Sequence, residues 1–220
     1  MIIAVHNTRG GVGSTTIAAH LCKLIQGLNI TVDAMSIDPT QELQRWLKPL
    51  GVRLIEPEQL APQTRDQDES FAEVLVMDIH TSQVPPVLPD LWVVPISDRL
   101  AYEHAVQLTD SLSGDVVWLP TLGRALEHLD IPRYLADTLT IAPQVPFSRA
   151  IRSAGENGRL VWDVPELADT AGALALRRSL RQLLDAAGLL PAESTLRLAP
   201  VAIGVHRDSQ HLQAAQAHQP

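Results

Sequence analysis

The sequence is poor in cysteine, lysine and aromatic residues. Of its 220 residues, one is a cysteine, Cys22, and two are lysines, Lys23 and Lys48. A single cysteine excludes an internal disulfide and is typical of proteins in a reducing cytoplasm, which is the location we expect. Aromatic residues make up only 4% of the chain against 45% hydrophobic residues overall, so aliphatic side chains must fill the core.

The sequence also lacks an excess of positive charge and long apolar runs. The formal net charge is -8 and the pI is about 5.4, which excludes a general electrostatic attraction to nucleic acid. The chain contains no run of 18 apolar residues, so we expect no transmembrane helix. It opens with the strand-like MIIAVHN rather than with a basic segment before an apolar one, so we expect no signal peptide.

Short apolar segments alternate with longer amphipathic ones along the chain. The apolar segments predict strands at residues 2–6, 30–37, 52–55, 73–79, 91–96, 115–121 and 138–143. The amphipathic segments predict helices at residues 15–28, 41–50, 100–112, 124–138, 147–158 and 169–188. Continuous apolar strands separated by helices are typical of a mostly parallel sheet covered on both faces, the doubly wound α/β fold.

We expect one domain over residues 1–190 and a C-terminal tail over residues 191–220. The tail ends in DSQHLQAAQAHQP, which has few apolar side chains to bury. It is therefore predicted to be partly mobile.

The segment HNTRGGVGSTT, residues 6–16, places a glycine-rich turn between the first predicted strand and the first predicted helix. This is the context of a phosphate-binding P-loop, G-x-x-x-x-G-K-[ST]. Glycines allow conformations in which successive N–H groups point at an anion, beside the positive end of a helix. Thr15 offers a hydroxyl to Mg²⁺, but Ser14 stands where the motif has lysine. The alternative is a glycine-rich turn without a ligand; the predicted nucleotide-binding residues are Gly10, Gly11, Val12, Gly13, Ser14, Thr15 and Thr16.

This loop resembles that of the ParA/MinD family of P-loop ATPases, which reads K-G-G-x-G-K-[ST]-T. Arg9 stands at the position of the family's first, signature lysine, and Ser14 stands at the second. Both family lysines of the loop are therefore replaced.

Further segments are similar to the same family. In SIDPTQELQRWL, residues 36–47, Asp38 and Pro39 match the family's D-x-D-P segment, and Ser36 replaces its first aspartate. In VLVMDIHTS, residues 74–82, Asp78 matches the Walker B aspartate, and His80 replaces a small residue or proline. A later stretch, TLTIAPQVPFSRAIRSAGENGRLVWD, is similar to the family's strand–proline–helix segment, which ends in a glycine and a short extended stretch. The resemblance covers roughly residues 1–188.

The resemblance implies a P-loop NTPase fold with ATP or ADP and Mg²⁺ at the carboxyl ends of the strands. It implies a nucleotide-dependent switch in DNA partitioning or cargo positioning, in which ATP drives a homodimer that binds DNA and a ParB-like activator. Arg9 would then act across the dimer, while Asp38 would orient the attacking water. Thr15 and Asp78 would hold Mg²⁺. From the residues alone, Asp38 is equally a cap of the helix near Gln41. For Asp78 the alternative is a cap of the loop after its strand, and we favour the Mg²⁺ role.

Three arginines on the last predicted helix, Arg177, Arg178 and Arg181, form a basic strip. In the ParA branch, basic residues of the C-terminal region contact DNA, so these arginines are candidate DNA contacts; the alternative is a solvated helix face. The scarcity of lysine limits any such binding to a weak, non-specific one, because that affinity comes from many phosphate contacts. The tail lacks the basic amphipathic helix of the MinD branch, and we expect no membrane association.

The serine at position 14 predicts ATP hydrolysis that is weak or absent. A lysine there places its charge against the phosphates, and an ion pair at about 4 Å is worth roughly 4 kcal/mol at an effective dielectric of about 20. Losing much of this weakens ATP binding by orders of magnitude, since about 1.4 kcal/mol corresponds to tenfold. The alternative function is a pseudo-ATPase interaction scaffold that no longer uses nucleotide. A reductive or metal-inserting relative is disfavoured, because those branches need more cysteines.

Overall fold

The centre of the molecule is a sheet of seven strands whose described pairings are all parallel. The computed structural model describes residues 1–37, 42–60, 72–80, 83–121, 132–136 and 139–190. The strands are β1 (Ile2–His6), β2 (Val32–Ile37), β3 (Arg53–Leu54), β4 (Val74–Ile79), β5 (Leu91–Ile96), β6 (Asp115–Pro120) and β7 (Thr140–Ile141). Their order is β3-β2-β4-β1-β5-β6-β7. The α/β fold predicted from the apolar segments is confirmed.

Helices cover both faces of this sheet. They are α1 (Ser14–Gln26), α2 (Glu42–Leu47), α3 (Arg99–Thr109), α4 (Arg133–Ala136), α5 (Arg149–Glu156), α6 (Pro165–Ala168) and α7 (Ala171–Ala186). Buried side chains of α1, α2, α5 and α7 share a core with one face of the sheet, while α3 and α4 pack on the other. This two-sided cover explains why β4 and β5 are buried at every position and why, apart from Asp78 in β4, both are apolar runs in the sequence.

Several element boundaries differ from the prediction. The helix expected at 41–50 is α2 followed by a 3-10 turn at Lys48–Leu50, where Pro49 lies in the first turn. The short extended stretch expected before residue 163 is a 3-10 turn at Val161–Asp163. It is followed by α6, which the periodicity did not predict and which begins with Pro165, a residue suited to a first helical position. Most of the helix predicted at 124–138 and the whole C-terminal tail lie outside the described residues.

Polar side chains at the amino ends of the strands are paired with one another and with the backbone. Asp33 in β2 accepts two hydrogen bonds from the Arg53 guanidinium, Nε–Oδ1 at 3.0 Å and Nη2–Oδ2 at 2.6 Å. Its Oδ2 also accepts from the backbone N–H of Ala72 at 3.0 Å. Glu73, just before β4, accepts from both the backbone N–H and the hydroxyl of Thr31. These contacts join β2, β3 and β4 at this end of the sheet.

Candidate functional site

The loop between β1 and α1 has a backbone conformation that favours glycine. The φ angle is +77° at Gly11 and +93° at Gly13, and Gly13 caps the start of α1. A Cβ atom at either position would meet nothing within 4 Å, so the left-handed backbone, rather than lack of space, is what favours glycine. The structure thus places the glycines of RGGVGSTT where the chain turns from a strand into a helix at the carboxyl end of the sheet.

Two buried polar side chains hold this loop in place. Asn7 is 1% exposed, and its Nδ2 donates to the carbonyl oxygens of Pro95 at 2.7 Å and Ala101 at 3.2 Å. Its Oδ1 accepts the backbone N–H of Arg9 at 2.8 Å. On the other side, Thr121 Oγ1 donates to the carbonyl oxygen of Val12 at 2.9 Å. The loop is therefore fixed to β5, to α3 and to the end of β6.

The sequence around Asn7 and Thr121 gives no sign that these residues belong to the site. Their partners lie far away along the chain, 88 residues from Asn7 and 109 residues from Thr121. The only local signal is a polar residue directly after an apolar strand, and that pattern does not reveal a partner.

The backbone N–H groups of this loop make no hydrogen bond of good geometry within the described protein. None of the residues from Gly10 to Thr16 donates a backbone hydrogen bond to another described group. The first donor of the helix is the N–H of Ile17, which bonds the carbonyl oxygen of Gly13 at 3.0 Å. Free N–H groups at a helix start, together with the positive end of the helix dipole, form an anion-binding site.

Positive charge near the loop comes from Arg9 rather than from the helix. Ser14 is half-buried at the start of α1, and the first turn of this helix carries no basic side chain. Arg9 is exposed, and within the described residues its guanidinium forms no ion pair or hydrogen bond. Arg9 is therefore available to a ligand or to a partner molecule.

Asp78 lies at the carboxyl end of β4, between β1 and β2. In the register of the sheet it is the partner of Val5 on one side and of Ser36 on the other. Its side chain is only 3% exposed, and alternation along the strand puts it on the face of Val76, which packs on α1. Burial raises the pKa of the Cys22 thiol in α1, and the charge of Asp78 adds to that effect. Asp78 therefore faces the helix that follows the glycine-rich loop.

Thr15 shares that helix face. It precedes Ala19 by four residues and Cys22 by seven, and both of these side chains are fully buried against the sheet. Residues at this spacing lie above one another on one side of a helix. Thr15 and Asp78 thus both lie at the interface between α1 and the sheet. Asp38 lies outside the described residues.

The donor groups at this interface fit Mg²⁺ better than they fit a metal ion whose ligands are all protein side chains. Among the described residues, no group of three or more His, Cys, Asp and Glu side chains could hold a metal ion. Mg²⁺ usually keeps several water molecules and takes only one or two protein carboxylates beside phosphate oxygens. One buried carboxylate, one helix-start hydroxyl and a neighbouring anion site meet that requirement.

His20 packs in the core. Its Nε2 accepts the backbone N–H of Val161 at 3.1 Å, so Nδ1 carries the proton and donates to the carbonyl oxygen of Thr16 at 2.7 Å. The ring meets Trp162 edge-on at 4.9 Å. Burial lowers the pKa of His20 to about 4, so the ring is neutral at physiological pH. His20 thus joins α1 to the 3-10 turn at Val161–Asp163.

The three arginines predicted as a basic strip have different surroundings. The guanidinium carbon of Arg177 lies 5.2 Å from the centre of the Trp162 ring, a cation–π contact that holds α7 against the 3-10 turn. Arg178 and Arg181 are exposed and have no ion pair within the described residues. Arg177 thus has a structural contact of its own, and only the other two remain fully available to an external anion.

A surface pocket of about 630 Å³ lies at the opposite end of the sheet from the loop. It is lined by Gln26, Asn29, Asp33 and Arg53, among others. Asp33 and Arg53 already bond each other there, whereas the loop carries a run of N–H groups without acceptors. We therefore place the candidate site at the loop, although the pocket is elsewhere.

Among the described residues, no helix has both the length and the apolar character needed to cross a membrane.

Comparison with known proteins gives structural matches only. No protein-family model and no curated protein sequence matches the chain. The septum site-determining protein MinD from Pyrococcus horikoshii OT3, complexed with Mg-ADP, is similar with a TM-score of 0.61 and 16% identity, over 86% of this chain and 97% of that one. McdA from Cyanothece in an ATP complex gives 0.63 and 13%, over 86% and 97%.

A plasmid partition protein from Borrelia burgdorferi B31 bound to AMPPNP is also similar. Its TM-score is 0.58 at 14% identity, over 84% of this chain and 98% of that one. Each alignment covers nearly all of the other protein, so the likeness extends to the whole sheet and its helices. The chain therefore has the fold of the MinD, McdA and plasmid-partition structures, the ParA/MinD fold that its loop, its two aspartates and its strand–proline–helix segment resemble.

Proposed function

We propose that this protein is a ParA-like nucleotide-dependent switch in DNA partitioning or cargo positioning. The observation that carries the proposal is the run of backbone N–H groups from Gly10 to Thr16 that have no acceptor in the described protein. Asn7 and Thr121 hold these groups in place, so the anion site exists before a ligand arrives. The structurally similar MinD, McdA and partition proteins carry Mg-ADP, ATP and AMPPNP, which supports a nucleotide as the anion.

ATP hydrolysis by this chain is proposed to be weak or absent. The backbone half of the phosphate site is intact, but Ser14 brings no charge to the β- and γ-phosphates. Transition-state stabilisation in phosphoryl transfer is mostly electrostatic, so the missing charge slows the chemical step more than it weakens binding. Arg9 supplies a permanent charge with a planar donor fork that suits phosphate.

Thr15 and Asp78 are the proposed protein groups for Mg²⁺. When bound, the cation would neutralise phosphate charge, while Thr15 and Asp78 position it between α1 and β4. Asp38 is proposed to orient the attacking water.

The proposed assembly is a homodimer in the cytoplasm. Arg9 is exposed and without an ion pair among the described residues, which suits a role at the partner's nucleotide. A ParB-like activator or cargo adaptor would bind the dimer. Arg178 and Arg181 are proposed as weak, non-specific DNA contacts, and the stacked Arg177 as a support for their helix.

A second candidate is an interaction scaffold that does not use nucleotide. One observation favours it: no basic side chain lies in the first turn of α1, so a bound triphosphate would be held mainly by neutral dipoles. The protein would then keep the fold for dimer or partner contacts alone.

Calorimetric titration with ATP and Mg²⁺ tests both candidates. We expect the natural chain to bind ATP, Ser14→Lys to bind it at least tenfold more tightly because of the added charge, and Ser14→Ala to match the natural chain. Absence of binding by all three chains would favour the scaffold. Steady ATP turnover by the natural chain equal to that of Ser14→Lys would overturn the proposed weak hydrolysis.

A further inference from the structure

The carboxyl end of β2 contains a buried hydroxyl group without a partner. The Oγ atom of Ser36 is shielded from solvent and makes no hydrogen bond within the described residues. Buried polar groups in folded proteins are almost always hydrogen bonded, because an unpaired one destabilises the fold. Ser179 in α7 shows the ordinary arrangement, since its buried Oγ donates to the carbonyl oxygen of Pro143 at 2.5 Å. Ser36 therefore calls for an explanation.

Ser36 lies directly beside Asp78. The two residues are register partners in the parallel pairing of β2 with β4. Alternation along each strand puts both side chains on the face of Ala34 and Val76, which packs on α1. A buried carboxylate and a buried hydroxyl thus share one small region at the interface with the helix that follows the loop.

The chemistry of this pair selects the kind of ligand that would satisfy Ser36. An anion would be repelled by Asp78, and an apolar group would leave the hydroxyl unpaired. A hydrated divalent cation bound by Asp78 satisfies both groups, because its water molecules are strong hydrogen-bond donors to a hydroxyl oxygen. Mg²⁺ prefers oxygen ligands, needs few protein groups and keeps several of its water molecules.

We propose that Ser36 is a further residue of the Mg²⁺ site, accepting a hydrogen bond from a water molecule on the cation that Asp78 holds. The inference rests on the proposed function, since the cation is the one that accompanies the nucleotide. It goes beyond that function because the resemblance assigns no role to a serine at this position. Ser36 is a positioning residue: it orients the hydrated cation toward the loop and does not touch the phosphates.

The test measures the cation without nucleotide. Mn²⁺ binding to the full chain is followed by electron paramagnetic resonance, for the natural protein, Ser36→Ala and the matched control Ser179→Ala. We expect Ser36→Ala to bind Mn²⁺ roughly three- to tenfold more weakly, the effect of one lost hydrogen bond, and Ser179→Ala to bind it as the natural chain does. Melting temperatures in EDTA supply the second readout: Ser36→Ala should melt no lower than the natural chain, whereas Ser179→Ala should melt lower.

The outcomes separate this inference from the proposed function. Equal Mn²⁺ affinity of the natural chain and Ser36→Ala overturns the inference, as does the absence of Mn²⁺ binding by the natural chain. A lower melting temperature of Ser36→Ala in EDTA also overturns it, since that result means the hydroxyl has a structural partner. Titration with ATP in EDTA tests the phosphate loop alone. If ATP does not bind in EDTA, the result counts against the proposed function. The inferred cation site is still supported in that case, provided that Mn²⁺ binding depends on Ser36.

Discussion

At the amino ends of β2, β3 and β4, the Asp33 carboxylate accepts three hydrogen bonds and Glu73 accepts two. At the carboxyl ends of β1 and β2, the loop N–H groups and the Ser36 hydroxyl have no described partner. The strand β2 thus carries a saturated carboxylate at its amino end and an unpaired hydroxyl at its carboxyl end. Since folded proteins rarely leave buried polar groups unpaired, the carboxyl end is where we propose that an external ligand binds.

The largest effect is expected at Asn7, the buried side chain that fixes the loop at the carboxyl end. Asn7→Ala removes its three hydrogen bonds and takes away the donor that Asn7 supplies to the buried carbonyl oxygen of Pro95, while the carbonyl oxygen of Ala101 keeps its place in the hydrogen-bond pattern of α3. We expect a loss of about 3 kcal/mol in the free energy of unfolding, measured by urea denaturation, together with loss of ATP binding. Asn157→Ala, which removes an exposed asparagine directly after α5, is the matched control and should lose less than about 1 kcal/mol. Equal losses in the two variants would contradict the anchoring role.

The second prediction concerns the amino end. Burial alone would raise the pKa of Asp33, but the hydrogen bonds from Arg53 and Ala72 and the charge of Arg53 outweigh it and lower that pKa. Asp33→Asn should reduce stability by about 2 kcal/mol at pH 7, a modest loss because Arg53 is partly exposed and stays hydrated. ATP binding should not change.

The sign of the pH dependence follows from the lowered pKa. The ionised Asp33 stabilises the protein above its ordinary pKa of 3.8, and this contribution is lost as the pH falls through the lower folded-state pKa. Urea denaturation from pH 7 to pH 2 should therefore show the difference between the natural chain and Asp33→Asn shrinking below about pH 4. A difference that stays constant over this range would show that the charge of Asp33 does not matter.

The third prediction compares one glycine from each end. Gly13 and Gly51 both have positive φ, +93° and +65°, and a Cβ atom at either would meet nothing within 4 Å. Alanine at either position should therefore lower the unfolding free energy by about 1–2 kcal/mol through backbone strain alone. Only Gly13→Ala should also weaken ATP binding in calorimetry, because only Gly13 shapes the loop. Similar ATP affinities of the two variants would show that the loop is not part of the nucleotide site.

The smallest effect on stability is expected at Arg9. Its guanidinium has no partner among the described residues, so Arg9→Ala should change the free energy of unfolding by less than about 0.5 kcal/mol. If Arg9 acts across a dimer, the variant should remain monomeric in sedimentation runs with ATP and Mg²⁺ in which the natural chain forms dimers. Dimers of equal stability in both proteins would exclude that role.

The sheet was predictable because β4 and β5 are covered on both faces, which makes each one an apolar run in the sequence, interrupted only by Asp78 near the end of β4. The glycines of the loop were predictable for a local reason, since positive φ restricts the choice of residue. The anchors Asn7 and Thr121 were not, because each side chain bonds a backbone group some 90 to 110 residues away. Nor does a basic strip in a sequence reveal that Arg177 stacks on Trp162 while Arg178 does not.

The two outermost strands of the described sheet, β3 and β7, are each only two residues long. A neighbouring molecule that tried to extend the sheet at either edge would find very few free backbone groups to pair with. Short edges of this kind oppose fibre growth and strand exchange between copies. They direct any contact between copies of this chain to side chains and loops rather than to strand pairing.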